Sequence, residues 1–252
     1  MKSAILALGL AAALAGGGVA AAQPTHVMVR AQALDAKFIG DHVGGVRIVL
    51  RDARTGRVLA RGLTRGGTGD TTRIMKTPVA RGDHLADGST AGFDAVLDLD
   101  RPTLVRAEAT GPIGRPGSQI EVSSSLWVIP GRDVTGDGWV LSFPGLVVEP
   151  PRVRAEAAGL RVDAKVSPMC GCPIEPGGLW DAGGYTVEAF VLRGEQVVSR
   201  TPLAYAGSAG EFTGLAPAIG PAAPRGRLTL RLVATDARTP NAGVWEGPLP
   251  AR

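Results

Sequence analysis

The chain has 252 residues, with 27 Lys and Arg against 23 Asp and Glu and a formal net charge of +4. That surplus is spread along the chain and seldom lies beside aromatic residues, which excludes the basic stripe or stacking platform of a nucleic-acid binder. With 36 glycines, 19 prolines and a 44% hydrophobic share, and no long helical periodicity, the composition points to an all-β chain rich in turns.

Residues 1–22 read as a secretory signal. Lys2 gives the positive start, Ile5 to Ala15 an apolar run, and Ala20-Ala21-Ala22 the small residues before cleavage near Gln23. The run is too short for a membrane anchor, which needs about 20 residues. No later stretch could cross as a helix, so no transmembrane segment is expected. The alanine- and arginine-rich, lysine-poor composition adds a bacterial periplasm or secretion to the expectation. Roughly 230 residues then remain, enough for one large or two ordinary domains.

His26 to Leu34 partly alternates and reads as a strand. After a glycine-bearing loop from Phe38 to Gly45, Val46 to Arg51 is the next strand. Asp52-Ala53-Arg54-Thr55-Gly56 turns the chain, and Arg57 to Thr64 returns from it. The glycine supplies the positive φ such a hairpin turn needs. This hairpin resembles those of transthyretin-like, carboxypeptidase-regulatory-like β-sandwich modules, and the resemblance covers the hairpin alone. Arg65 to Gly92 is irregular, a length that is either functional or mobile. Phe93 to Leu99, Thr103 to Ala109 and Ile120 to Ile129 resume the alternation. In the last of these, Ser123, Ser125 and Trp127 share one face. Gly131 to Gly138 is a turn and Trp139 to Val148 a further strand. Pro150-Pro151 stiffens the chain and marks a boundary, giving a first sandwich domain over 23–149 and a second over 152–252.

The second half opens with Arg152 to Ala157 and Gly159 to Val166. A cysteine-bearing loop follows from Ser167 to Gly184, then Tyr185 to Leu192, the Arg193-Gly194-Glu195 turn, and strands at Val197 to Tyr205, Phe212 to Leu215, Leu228 to Thr235 and Gly243 to Glu246. About seven short strands with turn signals every 8–12 residues resemble an immunoglobulin-like or fibronectin-like sandwich. The tyrosine and disulfide hallmarks of antibody domains are absent. In that strand order the cysteine loop joins the second and third strands. It should then face the first domain, from which the chain enters.

Both cysteines of the chain lie in Pro168-Met169-Cys170-Gly171-Cys172-Pro173. Three readings are open. An exported protein with two cysteines usually pairs them, and Gly171 makes a Cys170–Cys172 disulfide accessible. That ring is very small, so it constrains the unfolded chain little and is open to exchange. Alternatively, thiolate and thioether ligands select Cu(I), and Met169, Cys170 and Cys172 could supply them, with His42 and His84 as further members of the metal set. His26 is the remaining histidine. The third reading is two reduced cysteines that pack. Trp180 is expected to pack as a core or rim filler, while the prolines and glycines stiffen the loop that presents these groups.

Other motifs carry less. Asp133-Val134-Thr135-Gly136-Asp137-Gly138 resembles the start of a calcium loop, but its twelfth place is Pro144 where a glutamate is wanted, so a hairpin turn is expected. Gly66-Gly67-Thr68-Gly69-Asp70 lacks the Gly-Lys-Ser/Thr ending of a phosphate loop. No Gly-X-Ser-X-Gly elbow or His-X-X-X-His arrangement occurs. With nucleophile, base and orienter all unaccounted for, the expectation is a protein that is not an enzyme and has no catalytic residues.

The chain resembles a group of bacterial exported proteins that share Gly-Gly-Thr-Gly-Asp in the first half and Met-Cys-Gly-Cys-Pro-X-X-Pro-Gly-Gly-X-Trp-Asp in the second. The residues therefore lead to a non-catalytic periplasmic binding protein, taking a soft metal ion or another periplasmic protein, with copper as the cofactor. An adhesion or scaffolding module with a Cys-Gly-Cys disulfide is the alternative, and a thiol–disulfide redox protein a third.

Overall fold

The computed structural model describes residues 23–218 and 227–249. The expected signal segment lies outside them. The described chain is almost entirely β, as composition and alternation predict.

The first half supplies β1 (Gln23–Ala33), β2 (Arg47–Asp52), β3 (Val58–Leu63), β4 (Phe93–Leu99), β5 (Thr103–Gly111), β6 (Ile120–Val128), β7 (Val134–Phe143) and β8 (Leu146–Val148). One sheet has the order β4-β1-β7, with β1 antiparallel to β4 and parallel to β7. The other is antiparallel, in the order β3-β2-β5-β6. Period-two alternation turns Val27, Val29 and Ala31 of β1 inward, together with Leu97 of β4 and Leu141 and Phe143 of β7. Ile48 and Leu50 of β2 and Val105 and Ala107 of β5 are buried with them. All belong to one apolar cluster, the core of a sandwich. The outward face of β6 carries Trp127, 51% exposed, with the Arg54 guanidinium 5.4 Å from its ring centre.

Two boundaries differ from the sequence reading. The expected turn at Gly131 to Gly138 is already strand from Val134, with Gly136 and Gly138 at positive φ. The expected single strand from Trp139 to Val148 breaks at Pro144-Gly145, where Gly145 takes φ +133. Its second piece, β8, pairs antiparallel with β10 (Gly159–Pro168), Val148 opposite Val166 and Leu146 opposite Pro168. The chain thus joins the second half's sheet before it reaches Pro150-Pro151. Three consecutive buried apolar residues, Leu146-Val147-Val148, explain this, since such a run needs cover on both faces.

Around β10 lie β9 (Arg152–Glu156), β11 (Ile174–Glu175), β12 (Trp180–Asp181), β13 (Tyr185–Arg193), β14 (Gln196–Tyr205), β15 (Glu211–Pro217), β16 (Leu228–Asp236) and β17 (Ala242–Pro248). β10 is flanked by β9 and β15, and β13 by β14 and β16, with β17 outside β16. β14 serves both groups. It pairs with β13 through Leu203 and then with β15 at Ala204 and Tyr205. Val162 and Val166 of β10, Val187 and Val191 of β13 and Leu230 and Leu232 of β16 point inward. The same apolar cluster runs through both halves of the chain. Asn241 fastens them: its side-chain amide donates to the Leu34 carbonyl at 3.0 Å and its oxygen accepts from the Gly145 N–H at 2.7 Å. Among the described residues no helix is long and apolar enough to cross a membrane.

Candidate functional site

The cysteine loop begins where β10 ends. The Gly171 N–H donates to the Pro168 carbonyl at 2.7 Å, closing a tight turn, and Gly171 takes φ +73. Only glycine enters that left-handed region at little cost. Across the turn, Cys170 and Cys172 form a disulfide with their Cα atoms 5.5 Å apart. Of the three readings of the cysteines, the structure has the paired one.

Most of the remaining motif builds the loop. The parallel pair β11 and β12 sets Ile174 beside Trp180. Pro176-Gly177-Gly178 makes the bend between them, with Gly177 at φ +70. The Asp181 carboxylate accepts from the Gly177 and Gly183 N–H groups, which holds it below the usual aspartate range. Trp180 is buried, and its indole N–H donates to the Asp35 carbonyl at 3.1 Å. Indole at the seam gives apolar area and one directed bond. The loop therefore lies against the first half, the direction that strand order predicts.

The candidate ligands are dispersed. Met169 is fully buried, its methyl group against Gly145, where an added Cβ would come within 2.6 Å. His42 does reach the loop: a Cβ at Gly171 would collide with its Nε2 and come within 2.8 Å of Val43 Cγ1. His84 lies instead against Gly136 of β7, and Nδ1 of His26 faces the Asp94 carboxylate at 3.1 Å. The expected copper set of Met169, Cys170, Cys172, His42 and His84 is thus not assembled. The disulfide leaves neither sulfur as a thiolate, Met169 is taken up in packing, and His84 is elsewhere. Among the described residues no group of three or more His, Cys, Asp or Glu side chains is placed to hold a metal ion. The aspartates of the calcium-like stretch are occupied as well. Asp133 accepts from the His26 N–H at 2.8 Å, and Asp137 from the Leu85 and Ala86 N–H groups at 3.0 and 2.7 Å.

The structure adds a cleft that spacing alone did not reveal. A cavity of about 620 Å³ opens over the disulfide turn. Lys37, Thr71 and Lys76 from the first half line it together with Cys172, Glu175 and Trp180 from the cysteine loop. Lys37 Nζ donates to Thr71 Oγ1 at 2.9 Å and to the Gly69 carbonyl at 3.3 Å, so its ammonium is held in place. Among the described residues neither Lys37 nor Lys76 has a carboxylate within 4.0 Å. The chain has four lysines, at 2, 37, 76 and 165, and two of them meet here. A lysine is a compact mobile point charge, unlike arginine's planar fork. That scarcity was the one signal in the sequence that could have drawn attention to these positions. No protein-family model matches the chain, and no curated protein matches it either.

Proposed function

We propose that the protein is an exported, non-catalytic binding protein whose ligand occupies the cleft lined by the two lysines and the Cys170–Cys172 turn. The observation that carries the reading is the meeting, around one cavity, of the disulfide with two lysines that have no carboxylate partner among the described residues. A concave site with a few fixed polar groups on apolar walls is the usual form of a small-molecule site. The exported bacterial group that the motif resembles fits this assignment. So does a pair of sandwich modules, transthyretin-like and then immunoglobulin-like. A thermal-shift screen of small carboxylates and phosphates tests it. A ligand at a hundredfold its Kd stabilises the native state by about 2.7 kcal/mol, a rise of several degrees. The Lys37→Met, Lys76→Met double variant should lose that rise. No shift from any anion at millimolar concentration would remove the reading.

The disulfide also favours a second reading, a scaffolding or adhesion module in which the ring braces the loop. In that case the protein keeps its partner when the cleft is filled by Leu179→Trp. Copper belongs only to the reduced loop, where His42 is the one histidine at hand. Cu(I) titration of oxidised and reduced protein separates the two states. Cu(I) bound at these residues only after reduction would support a redox-gated copper site.

A further inference from the structure

We propose that the cleft binds an anionic low-molecular-weight thiol and that the Cys170–Cys172 disulfide exchanges with it. The proposal rests on the cleft reading above and names the ligand class. Three observations converge. The disulfide closes a ring between residues only two apart, so opening it releases little chain and leaves the fold intact. Both cysteines are buried members of the apolar cluster, and both also line the cavity of about 620 Å³. The same cavity holds Lys37 and Lys76, which have no carboxylate partner among the described residues. Exchange needs a thiolate that can reach a sulfur. Cys172 keeps 5% of its surface exposed while Cys170 keeps none, and the attack is assigned to Cys172 Sγ on that difference. The lysines draw in a thiol that also carries carboxylates. Glu175, which lines the same cavity, repels carboxylates and so favours their placement beside Lys37 and Lys76.

In the first step the small thiolate bonds to Cys172 Sγ. The Cys170–Cys172 bond breaks, its electron pair passes to Cys170 Sγ, and that sulfur takes a proton from water. A second thiolate then attacks the sulfur of the bound small molecule. The small disulfide leaves, the electron pair of the broken bond passes to Cys172 Sγ, and that sulfur takes a proton from water. Two small thiols are oxidised and one protein disulfide is reduced.

The test compares glutathione, a tripeptide thiol with two carboxylates, with cysteamine, a cationic thiol, at matched thiolate concentration. Ring opening is read by alkylation and mass spectrometry on the intact protein. Glutathione should open the ring about tenfold faster than cysteamine at low salt, the lower end of what electrostatic steering supplies. The advantage should shrink at 0.5 M salt and in Lys76→Met, with Lys37→Met as a second variant whose fold is checked by circular dichroism. Equal rates for the two thiols in the wild-type protein would overturn the proposal without any variant. Binding of S-methylglutathione with no ring opening by glutathione would overturn the exchange and leave the cleft reading standing. If neither occurs, the proposal falls, and the cleft reading is then decided by the anion screen.

Discussion

Two long connections, Arg65 to Gly92 and Ser167 to Gly184, come together at the cleft and are held by opposite means. The first is fastened by polar groups. Asp70 caps the short helix α1 (Thr71–Met75) by accepting from the Arg73 N–H at 2.7 Å. The buried Arg30 guanidinium donates to the Thr90 and Ala91 carbonyls. Asp137 takes the Leu85 and Ala86 N–H groups. The second is fastened by burial, with Ile174 enclosed, Trp180 at the seam and a disulfide across its tip. A loop can be ordered without a core if carboxylates and a guanidinium satisfy its backbone. A loop that seals two halves together needs apolar area. Four measurements break or sharpen this contrast.

Trp180→Ala should have the largest effect. It removes a buried indole and leaves the Asp35 carbonyl unpaired, at a cost of about 3–5 kcal/mol, read by chemical denaturation. A loss under 1 kcal/mol would show that the seam does not depend on the indole.

Arg30→Leu should cost about 1.5–3 kcal/mol, because it takes charged donors from two carbonyls. Hydrogen exchange should rise across residues 85–92 and stay unchanged in residues 169–181. Equal loosening of both connections would erase the distinction.

Gly171→Ala forces an L side chain to φ +73 against His42 and Val43, worth about 1–3 kcal/mol. Its sign is the same in oxidised and reduced protein, since the collision lies outside the ring. The His42 ring resonances should move in the variant, and unmoved resonances would contradict the contact.

The smallest effect is set by acid. Hydrogen bonds from the Ser89 hydroxyl and N–H, with the Thr90 hydroxyl, hold Asp87 down to about 2 from 3.8. A carboxylate with a depressed folded value stabilises the native state above its unfolded value and loses that contribution as pH falls through the folded one. Protection of the Ser89 and Thr90 amides should therefore fall between about pH 4 and pH 2, and Asp87→Asn should remove that pH dependence. The loop from Cys170 to Trp180 also has a carboxylate lowered by hydrogen bonds, Asp181. Its disulfide and buried indole do not titrate in this window, so it should open after the other connection.

The residues made the strands legible. Val27, Val29 and Ala31, or Val187, Ala189 and Val191, alternate because each must face a core on one side and solvent on the other. The loop character of 65–92 and 167–184 was equally plain from glycine and proline. The direction of the cysteine loop followed from strand order, and the structure has Trp180 bonded to Asp35 and His42 against Gly171. The copper set was read from adjacency in sequence, and adjacency does not say where a side chain points: Met169 turns to Gly145 while its neighbour Cys170 turns to Cys172. β8 was missed although Pro144-Gly145 marks a turn in the sequence; what the pair does not tell is that Gly145 at φ +133 sends Leu146 to Val148 to a different sheet.

Local chemistry in the chain thus determined an all-β protein, its turns, and a stiff segment bearing two sulfurs, since alternation, positive-φ glycines and proline act within a few residues. Tertiary structure alone decided that Lys37 and Lys76 meet that segment across one cleft, that Trp180 seals it, and that β8 ties the halves together. Trp180 and Asp35 are 145 positions apart, and even the nearer pairing of β8 with β10 depends on how the sheets stack, which no short stretch of sequence encodes.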